Sequence, residues 1–205
     1  MKTKPWCGAM LSAALMLSSC APMIRYSTPV PVLKAPQDKA LVVVLRPLPK
    51  TGASYNADKI GTVYIDGAFG CVNTDNTVVQ MAADTGEHYV LAAIDNIATV
   101  KFNFKPGKVY YLLQKITARR VTAPTPGSGA PSGGLTRVQT TLQPISQDEY
   151  RAMSGSADIR FAQYTPSKPQ KNLDPSLKKA YIGAYEFWAK TKPELARAFF
   201  DYPGY

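Results

Sequence analysis

The chain has 205 residues and a formal net charge of +10 at pH 7. This length suits one domain, or one domain with an appendage. One histidine and three cysteines exclude a histidine-cluster metal site and a mechanism built on paired histidines. We therefore expect neither a metal nor another cofactor.

The first 19 residues have the pattern of a secretory signal peptide. Lys2 and Lys4 give a positive start, and a mostly apolar run follows from Trp6 to Leu17. This run is shorter than the roughly 20 apolar residues that a membrane-spanning helix needs. Residues 1–19 are thus predicted to be removed from the mature protein.

Four residues at the end of this segment, Leu17, Ser18, Ser19 and Cys20, resemble the bacterial lipobox. The resemblance implies cleavage between Ser19 and Cys20 and lipid attachment to the Cys20 thiol. Several acyl chains would be needed, because one chain binds a membrane only marginally. Ala21 stands after Cys20 in place of an aspartate, which by the sorting rule of enteric bacteria implies an outer-membrane protein facing the periplasm. The alternative is a secreted protein whose signal happens to end near a cysteine.

Loss of Lys2 and Lys4 would lower the net charge from +10 to +8. In an exported protein, this surplus favours anionic lipid head groups or acidic envelope polymers as partners rather than nucleic acid. The alternative is that a moderate positive charge simply keeps the protein soluble.

The middle of the chain is predicted to be a single antiparallel β-sandwich. Residues 20–38 are rich in proline and are expected to form a tether. Residues 39–148 then show short apolar or alternating segments between turn signals, which is typical of a sandwich. Asp66-Gly67 is predicted to form a hairpin turn. The predicted strands cover residues 40–45, 62–65, 68–72, 77–81, 87–94, 98–104, 108–117 and 135–145.

A low-complexity segment separates the last two of these predicted strands. Residues 122–134 contain mostly Gly, Pro, Ser, Thr and Ala and are predicted to be a long mobile hairpin loop. Arg119 and Arg120 lie beside it as a local basic pair, which we consider as an anion-binding or partner-binding site. The alternative is a solvated strand end.

Three helix starts are predicted near the end of the chain. Ser146 and Glu149 have the spacing of a capping box, and Thr191 and Glu194 repeat that spacing. Asp174 suits an N-cap because a proline follows it at the first helical position. These signals predict a short helical appendage after the sandwich.

Residues 149–205 are accordingly predicted to be a linker followed by aromatic C-terminal helices. Ten of the 21 Phe, Trp and Tyr residues lie between Phe161 and the end of the chain. Tyr181, Tyr185 and Trp188 fall on one predicted helix and are candidates for binding a partner. The alternative is that this aromatic stripe packs the tail onto the sandwich.

No catalytic constellation is recognisable. Cys71 would be the one thiol left in the mature chain, and we expect it to be a small buried core residue rather than a reactive group. His88, at the start of a strand, is expected to be a hydrogen-bonded structural residue. The acidic residues from Asp58 to Asp95 lie in or beside predicted turns, where aspartate is common. We therefore expect no enzymatic activity.

Four short segments follow one another along the β region: Arg46-Pro47, Val63–Gly67, Gly86–His88 and Gly107–Tyr111. Their order and spacing resemble a family of bacterial envelope lipoproteins known as domain of unknown function 2846. Thr85 stands where that family usually has proline. The family is similar to small immunoglobulin-like or transthyretin-like β-sandwiches, and it implies little about activity.

These observations predict a non-enzymatic, lipid-anchored envelope protein that binds or scaffolds a protein partner at the periplasmic membrane surface. The alternative is a glycan-binding module for peptidoglycan or surface polysaccharide. Coplanar exposed tyrosines and tryptophans on one sheet face would favour that alternative.

Replacement of Cys20 by Ala should stop acylation and release or mislocalise the protein, because the acyl chains are the predicted anchor. Metabolic labelling with a radioactive fatty acid and membrane fractionation would measure this. Retained label and an unchanged membrane fraction would contradict the prediction.

Overall fold

A computed structural model describes residues 23–28, 30, 31, 33–48, 60–121, 135–165 and 169–205. Ten strands and three helices lie in these ranges. The strands are β1 Met23–Ser27, β2 Ala40–Arg46, β3 Gly61–Ile65, β4 Ala68–Asn73, β5 Thr77–Ala83, β6 Gly86–Ala93, β7 Ile97–Phe104, β8 Val109–Val121, β9 Leu135–Pro144 and β10 Arg160–Thr165. The helices are α1 Gln147–Ser154, α2 Pro175–Thr191 and α3 Pro193–Phe200.

The strands form two sheets that pack face to face. One has six strands in the order β1-β10-β5-β2-β8-β9, and the other has four in the order β4-β3-β6-β7. Their facing side chains share one core cluster, in which Val42, Leu112, Val63 and Phe102 are buried. The predicted mainly β sandwich with C-terminal helices is confirmed.

The sandwich is not antiparallel throughout. In the six-stranded sheet, β2 runs parallel to β8, and β10 runs parallel to β5. All other pairs are antiparallel. Parallel neighbours need a long connection, and the four-stranded sheet lies within the connection from β2 to β8. The purely antiparallel expectation is therefore wrong for these two pairs.

Strand β2 is buried along its whole length because both of its faces are covered. Val42 and Val44 face the four-stranded sheet. Leu41, Val43 and Leu45 belong to a second cluster on the opposite face, together with residues from α1 and from the segment before β2. An unbroken apolar run is what such a doubly covered strand requires.

Two strands were not predicted from the sequence. Met23–Ser27 lies inside the predicted tether 20–38, yet it forms β1 and pairs antiparallel with β10, from Met23↔Thr165 to Ser27↔Phe161. β10 lies in the predicted linker. Each segment is short and lacks a clear period, so its pairing is fixed by the other and by β5 rather than by local pattern. The sandwich therefore takes a strand from each side of the predicted 39–148 domain.

Two of the three predicted helix starts are confirmed. The Ser146 hydroxyl accepts a hydrogen bond from the Glu149 N–H at 3.1 Å, and the Ser146 N–H donates to the Glu149 carboxylate at 2.7 Å. The Asp174 carboxylate accepts from two N–H groups of α2, and hydrogen bonds from the Ser176 side chain and from these N–H groups lower its pKa. The third predicted helix is present as α3, but its predicted capping box is wrong, because Thr191 ends α2 and donates its hydroxyl to the Trp188 carbonyl, while Lys192 precedes α3.

The hairpin turn, His88 and Cys71 take the predicted roles. Asp66 and Gly67 have φ values of 51° and 83°, as a type I′ turn requires. The Asp66 carboxylate accepts the Tyr89 N–H at 2.9 Å and lies 2.6 Å from the His88 ring nitrogen, so His88 supports the turn. Cys71 is buried in the core, and burial raises the pKa of its thiol.

A buried polar cluster closes one end of the sandwich. Arg46 ends β2 with no exposed surface, and its Nε lies 2.8 Å from an Asp75 carboxylate oxygen. Its Nη1 donates to the Asn73 carbonyl at 3.1 Å, and the Asn73 amide donates to Gln114 at 2.6 Å. A buried guanidinium needs such partners because an uncompensated buried charge is costly.

Replacement of Asp75 by Ala should lower the free energy of unfolding by about 3–5 kcal/mol, because it leaves the Arg46 charge buried without its carboxylate. Removing the exposed Lys39–Asp84 pair, whose atoms lie 3.1 Å apart, should cost under about 1 kcal/mol. Urea unfolding of Asp75→Ala and Asp84→Ala would measure the difference. Equal losses would contradict the structural role of the buried pair.

Candidate partner-binding cleft

The C-terminal helices close one open side of the sandwich. Strands β7 and β9 are the edge strands of the two sheets on this side. Helices α2 and α3 pack against β7, and β7 in turn contacts β9. A cleft remains where the two strand edges and the two helices meet.

The start of α2 is fixed by the hairpin between β3 and β4. The Leu173 N–H donates to the Gly67 carbonyl at 2.8 Å. The Phe69 N–H donates to the Asn172 side-chain oxygen at 3.0 Å. The Asp66-Gly67 turn therefore sets where the helix begins.

The middle of α2 is held by a second set of contacts from the four-stranded sheet. The Tyr89 hydroxyl donates to the Glu186 carboxylate, and burial together with this bond raises the pKa of Tyr89. The Tyr89 ring meets the Tyr185 ring edge-on at 6.0 Å. Lys101 lies 5.4 Å from the Tyr89 ring and 5.5 Å from the Phe200 ring, so one cation contacts the sheet and α3 together.

The residues after α3 return to the sandwich. Tyr205 and Val109 exchange two backbone hydrogen bonds, at 2.7 and 2.9 Å. The Tyr202 hydroxyl donates to the Ile145 carbonyl. Gly204 has φ 65°, and a Cβ atom there would lie 2.9 Å from the Tyr110 ring. The tail is therefore docked at both of its ends, as the core-packing alternative for the aromatic residues expects.

The cleft between α2, α3, β7 and β9 has a volume of about 310 Å³. This lies at the lower end of the range for ligand pockets, about 300–1,000 Å³. Aromatic side chains form its helical wall, and apolar and threonine side chains form its strand wall. Its lining includes Tyr181, Ala184, Tyr185, Trp188 and Phe199 on the helices and Asn96, Thr99, Gln139, Thr140 and Leu142 on the sandwich.

The three aromatic residues predicted to bind a partner are brought together here. Tyr185 is buried, whereas Tyr181 and Trp188 are partly exposed. The Trp188 ring lies 5.5 Å from the Tyr185 ring, at 41°, and 6.3 Å from the Phe199 ring. The aromatic rings therefore form a continuous wall on a helix rather than a coplanar row on a sheet face.

Two hydroxyl groups in the cleft lack hydrogen-bond partners among the described residues. They belong to Thr99 and Thr140, and both oxygens are inaccessible to solvent. The backbone groups of Thr140, unlike its hydroxyl, have hydrogen-bond partners. The Asn96 side-chain oxygen accepts the Thr140 N–H at 2.7 Å, and the Asn96 amide donates to the Thr140 carbonyl at 3.3 Å. The two hydroxyl groups therefore lie behind the surface of a mostly apolar cleft lining.

The other predicted site residues do not join the cleft. Arg119 and Arg120 lie on β8, in register with Arg137 and Thr136 of β9. The hairpin that carries them extends from the cleft wall toward the segment 122–134, which lies outside the described residues.

The lipid-attachment site cannot be placed in the fold. Leu17, Ser18, Ser19 and Cys20 lie outside the described residues. The first described residue after them is Met23, the first residue of β1.

Sequence reasoning missed the strand wall of the cleft. Thr99 and Thr140 belong to two strands that are neither adjacent in sequence nor paired with each other. Asparagine favours turns, which explains why Asn96 lies between β6 and β7. It does not explain the hydrogen bonds of Asn96 to Thr140 of β9. The alternation in β7 could have shown that Thr99 lies on the face opposite Val100, but no local signal shows that α2 covers that edge.

Across the ranges that the structure describes, no group of three or more His, Cys, Asp or Glu residues could hold a metal ion. None of the described helices is long and apolar enough to cross a membrane.

Comparison of the chain with protein-family models, with curated proteins and with solved structures finds no match. The resemblance to the lipoprotein family stays a prediction.

Replacement of Gly204 by Ala should loosen the tail, because a left-handed backbone costs a residue with a Cβ atom about 1–2 kcal/mol and the new atom meets Tyr110. Gly183 on α2 provides a matched control, since a Cβ atom there meets nothing within 4 Å. Gly183→Ala should stabilise α2 by about 0.5–1 kcal/mol. Urea unfolding and amide exchange of α2 and α3 would measure both. Equal effects would contradict the docked tail.

Proposed function

We propose that the protein is a non-enzymatic, lipid-anchored protein of the bacterial envelope that docks a protein partner in the cleft formed by α2, α3, β7 and β9. Cys20 carries the lipid, and the sandwich presents the cleft at the periplasmic membrane surface. The observation that carries the proposal is the convergence of Tyr181, Tyr185 and Trp188 on one partly open cleft beside strand-edge residues.

The cleft suits an apolar side chain of a partner. Aromatic rings supply large contact areas at low entropic cost and are enriched at protein interfaces. Leu177 and Phe187 of α2 are 47% and 71% exposed, and Ala184 lies between them in the sequence and at the rim of the cleft. The apolar surface therefore extends from the cleft along α2.

The strands that supply one wall of the cleft belong to a basic stretch of the sequence, which favours an acidic partner. Residues 96–147, which include β7, β8 and β9, contain no Asp or Glu and seven basic residues. The exposed Lys179 and Lys190 add positive charge on α2. A partner with apolar anchors flanked by carboxylates would match this pattern, and its association should weaken as salt increases. The seven basic residues are Lys101, Lys105, Lys108, Lys115, Arg119, Arg120 and Arg137.

A glycan remains the second candidate because the partly exposed Trp188 and the exposed Gln139 both line the cleft. The Gln139 amide could hydrogen-bond sugar hydroxyls while the Trp188 ring packs against the sugar ring. The aromatic arrangement does not favour this candidate, because Tyr185 and Trp188 are inclined by 41° and lie on a helix. Peptidoglycan and surface polysaccharide are the glycans to test.

The cleft can be blocked without removing any of its packing. Ala184→Glu places a longer, negatively charged side chain at the rim, where an exposed alanine now stands. Gly183→Glu adds the same charge to the next residue of α2, where a Cβ atom meets nothing and no cleft lining is present. In-cell crosslinking of the anchored protein, followed by mass spectrometry, would compare the two variants.

We expect one dominant crosslinked protein, reduced about tenfold by Ala184→Glu, which corresponds to roughly 1.4 kcal/mol, and retained by Gly183→Glu. Equal recovery with both variants would contradict docking in the cleft. Recovery of peptidoglycan or polysaccharide in place of a protein, again lost only with Ala184→Glu, would support the glycan candidate instead.

A further inference from the structure

The six-stranded sheet splits between β5 and β10. These parallel strands are paired only at Arg160↔Thr77 and Phe161↔Val78. Beyond that point β5 continues to Ala83 on β2, and β10 continues to Thr165 on β1. The two strands therefore diverge as the prongs of a fork, and each keeps a neighbour on its outer side only.

Alternation along the strands identifies the backbone groups that face into this fork. The Arg160 N–H donates to the Asn76 carbonyl at 2.9 Å, so both residues direct their polar groups across the junction. Along each strand, every second residue directs its N–H and C=O groups to that same side. The groups that follow belong to Gln80 and Ala82 on β5 and to Ala162 and Tyr164 on β10.

The pairing of β5 with β10 ends at Phe161↔Val78, where the Ala162 N–H meets the Val78 carbonyl. Beyond that point, the Ala162 carbonyl and the polar groups of Gln80, Ala82 and Tyr164 have no strand partner across the fork in the part of the chain that the structure describes. Unpaired N–H and C=O groups along a strand edge are a template for another strand. Elsewhere on the same sheet, an exposed edge is already blocked, because Asn96 occupies the polar groups of Thr140. The fork has no such side chain among the described residues.

The fork opens onto a cavity of about 550 Å³. Its walls come from β4, β5 and β10, with Phe69, Cys71, Phe161 and Tyr164 giving apolar surface. The Phe69 and Tyr164 rings lie 5.9 Å apart. A second cavity of about 290 Å³ shares Phe69 with the first and continues beside β5. Space and apolar surface therefore lie next to the unpaired backbone groups.

We propose that this fork is a second binding site, which receives an extended segment of a partner protein as an added β-strand. An inserted strand would hydrogen-bond β5 on one side and β10 on the other. Alternate apolar side chains of the segment would face Phe69 and Tyr164, and the intervening polar ones would lie on the opposite face, beside Phe161 and the exposed Gln80. Both prongs repeat their polar groups at every second residue, about 6.5–7 Å apart, a spacing that another strand matches and a small molecule does not.

This inference is independent of the cleft beside α2, because the two sites lie on opposite open sides of the sandwich. The cleft adjoins the β7 and β9 edges, whereas the fork adjoins the β4 edge. Failure of one site to bind leaves the other site unaffected.

Amide hydrogen exchange followed by NMR on the full chain tests the fork directly. In the free protein, the N–H groups of Gln80 and Ala82 should exchange fast, while those of Val79 and Met81, which face β2, should be protected. The probe is the peptide acetyl-Thr-Val-Thr-Val-Thr-Val-Thr-amide at millimolar concentration. Its addition should slow exchange at Gln80 and Ala82 by about tenfold or more, because exchange then requires peptide release.

Two controls separate strand addition from other binding. The same peptide methylated at every amide nitrogen keeps its side chains but loses its donors, and the methyl groups keep both of its edges from pairing, so it should give no protection. Gln80→Pro removes one N–H from the fork without removing a pairing bond to β2, and it should abolish protection. Gln80→Ala, which keeps that N–H, should not.

Three results would overturn the proposal. Equal protection by the methylated peptide would show that side chains alone bind. Slow exchange at Gln80 and Ala82 in the free protein at every concentration would show that another segment of the chain already fills the fork. Slow exchange that appears only at high protein concentration would assign the fork to a second copy. Ala184→Glu should leave the peptide effect unchanged.

Discussion

The fold depends on the pairing of β2 with β5 on one side and β8 on the other. All seven residues of β2 are buried, so every polar group of its backbone must be satisfied by a neighbouring strand. β8 pairs with β2 in the parallel direction, and two parallel neighbours need a long connection between them. The chain uses that connection to build the whole four-stranded sheet. Arg46, at the end of the same strand, requires the Asp75 carboxylate for the same reason of burial.

Local physical chemistry predicts most of the sandwich. Strand positions follow from alternation in segments such as Val100, Phe102 and Phe104, whose side chains share the core face. The Asp66-Gly67 turn follows from backbone conformations that few residues accept. Where pairing partners are distant, local patterns fail: β1 and β10 each lack a period and are strands because they pair with each other across more than 130 residues.

Only the helical wall of the candidate cleft could be predicted from the sequence. The aromatic spacing in α2 identifies Tyr181, Tyr185 and Trp188, because side chains three or four residues apart share a helix face. Thr99 and Thr140 come from separate sheets, and only the packing of the sandwich places them opposite those rings. The capping box predicted for the last helix failed for a local reason, since the hydroxyl of Thr191 bonds back to α2 and not to the start of α3.

The position of β1 constrains how the proposed anchor would hold the protein. Only Ala21 and Pro22 separate Cys20 from Met23, which allows a reach of about 10 Å. A lipid on Cys20 would therefore keep the β1 edge of the six-stranded sheet close to the membrane surface. The β9 edge lies five strand spacings away, or about 24 Å. The cleft would face away from the bilayer, toward partners in the periplasm.

The contact between Asn96 and β9 has a consequence for the behaviour of the protein in a crowded compartment. A terminal strand with free N–H and C=O groups invites pairing with the same strand of a neighbouring molecule. One side-chain amide occupies both polar groups of Thr140, and it does so without adding a strand of its own. The edge that borders the cleft is thereby unavailable at Thr140 to a strand of a neighbouring molecule, while the cleft itself stays open to a partner.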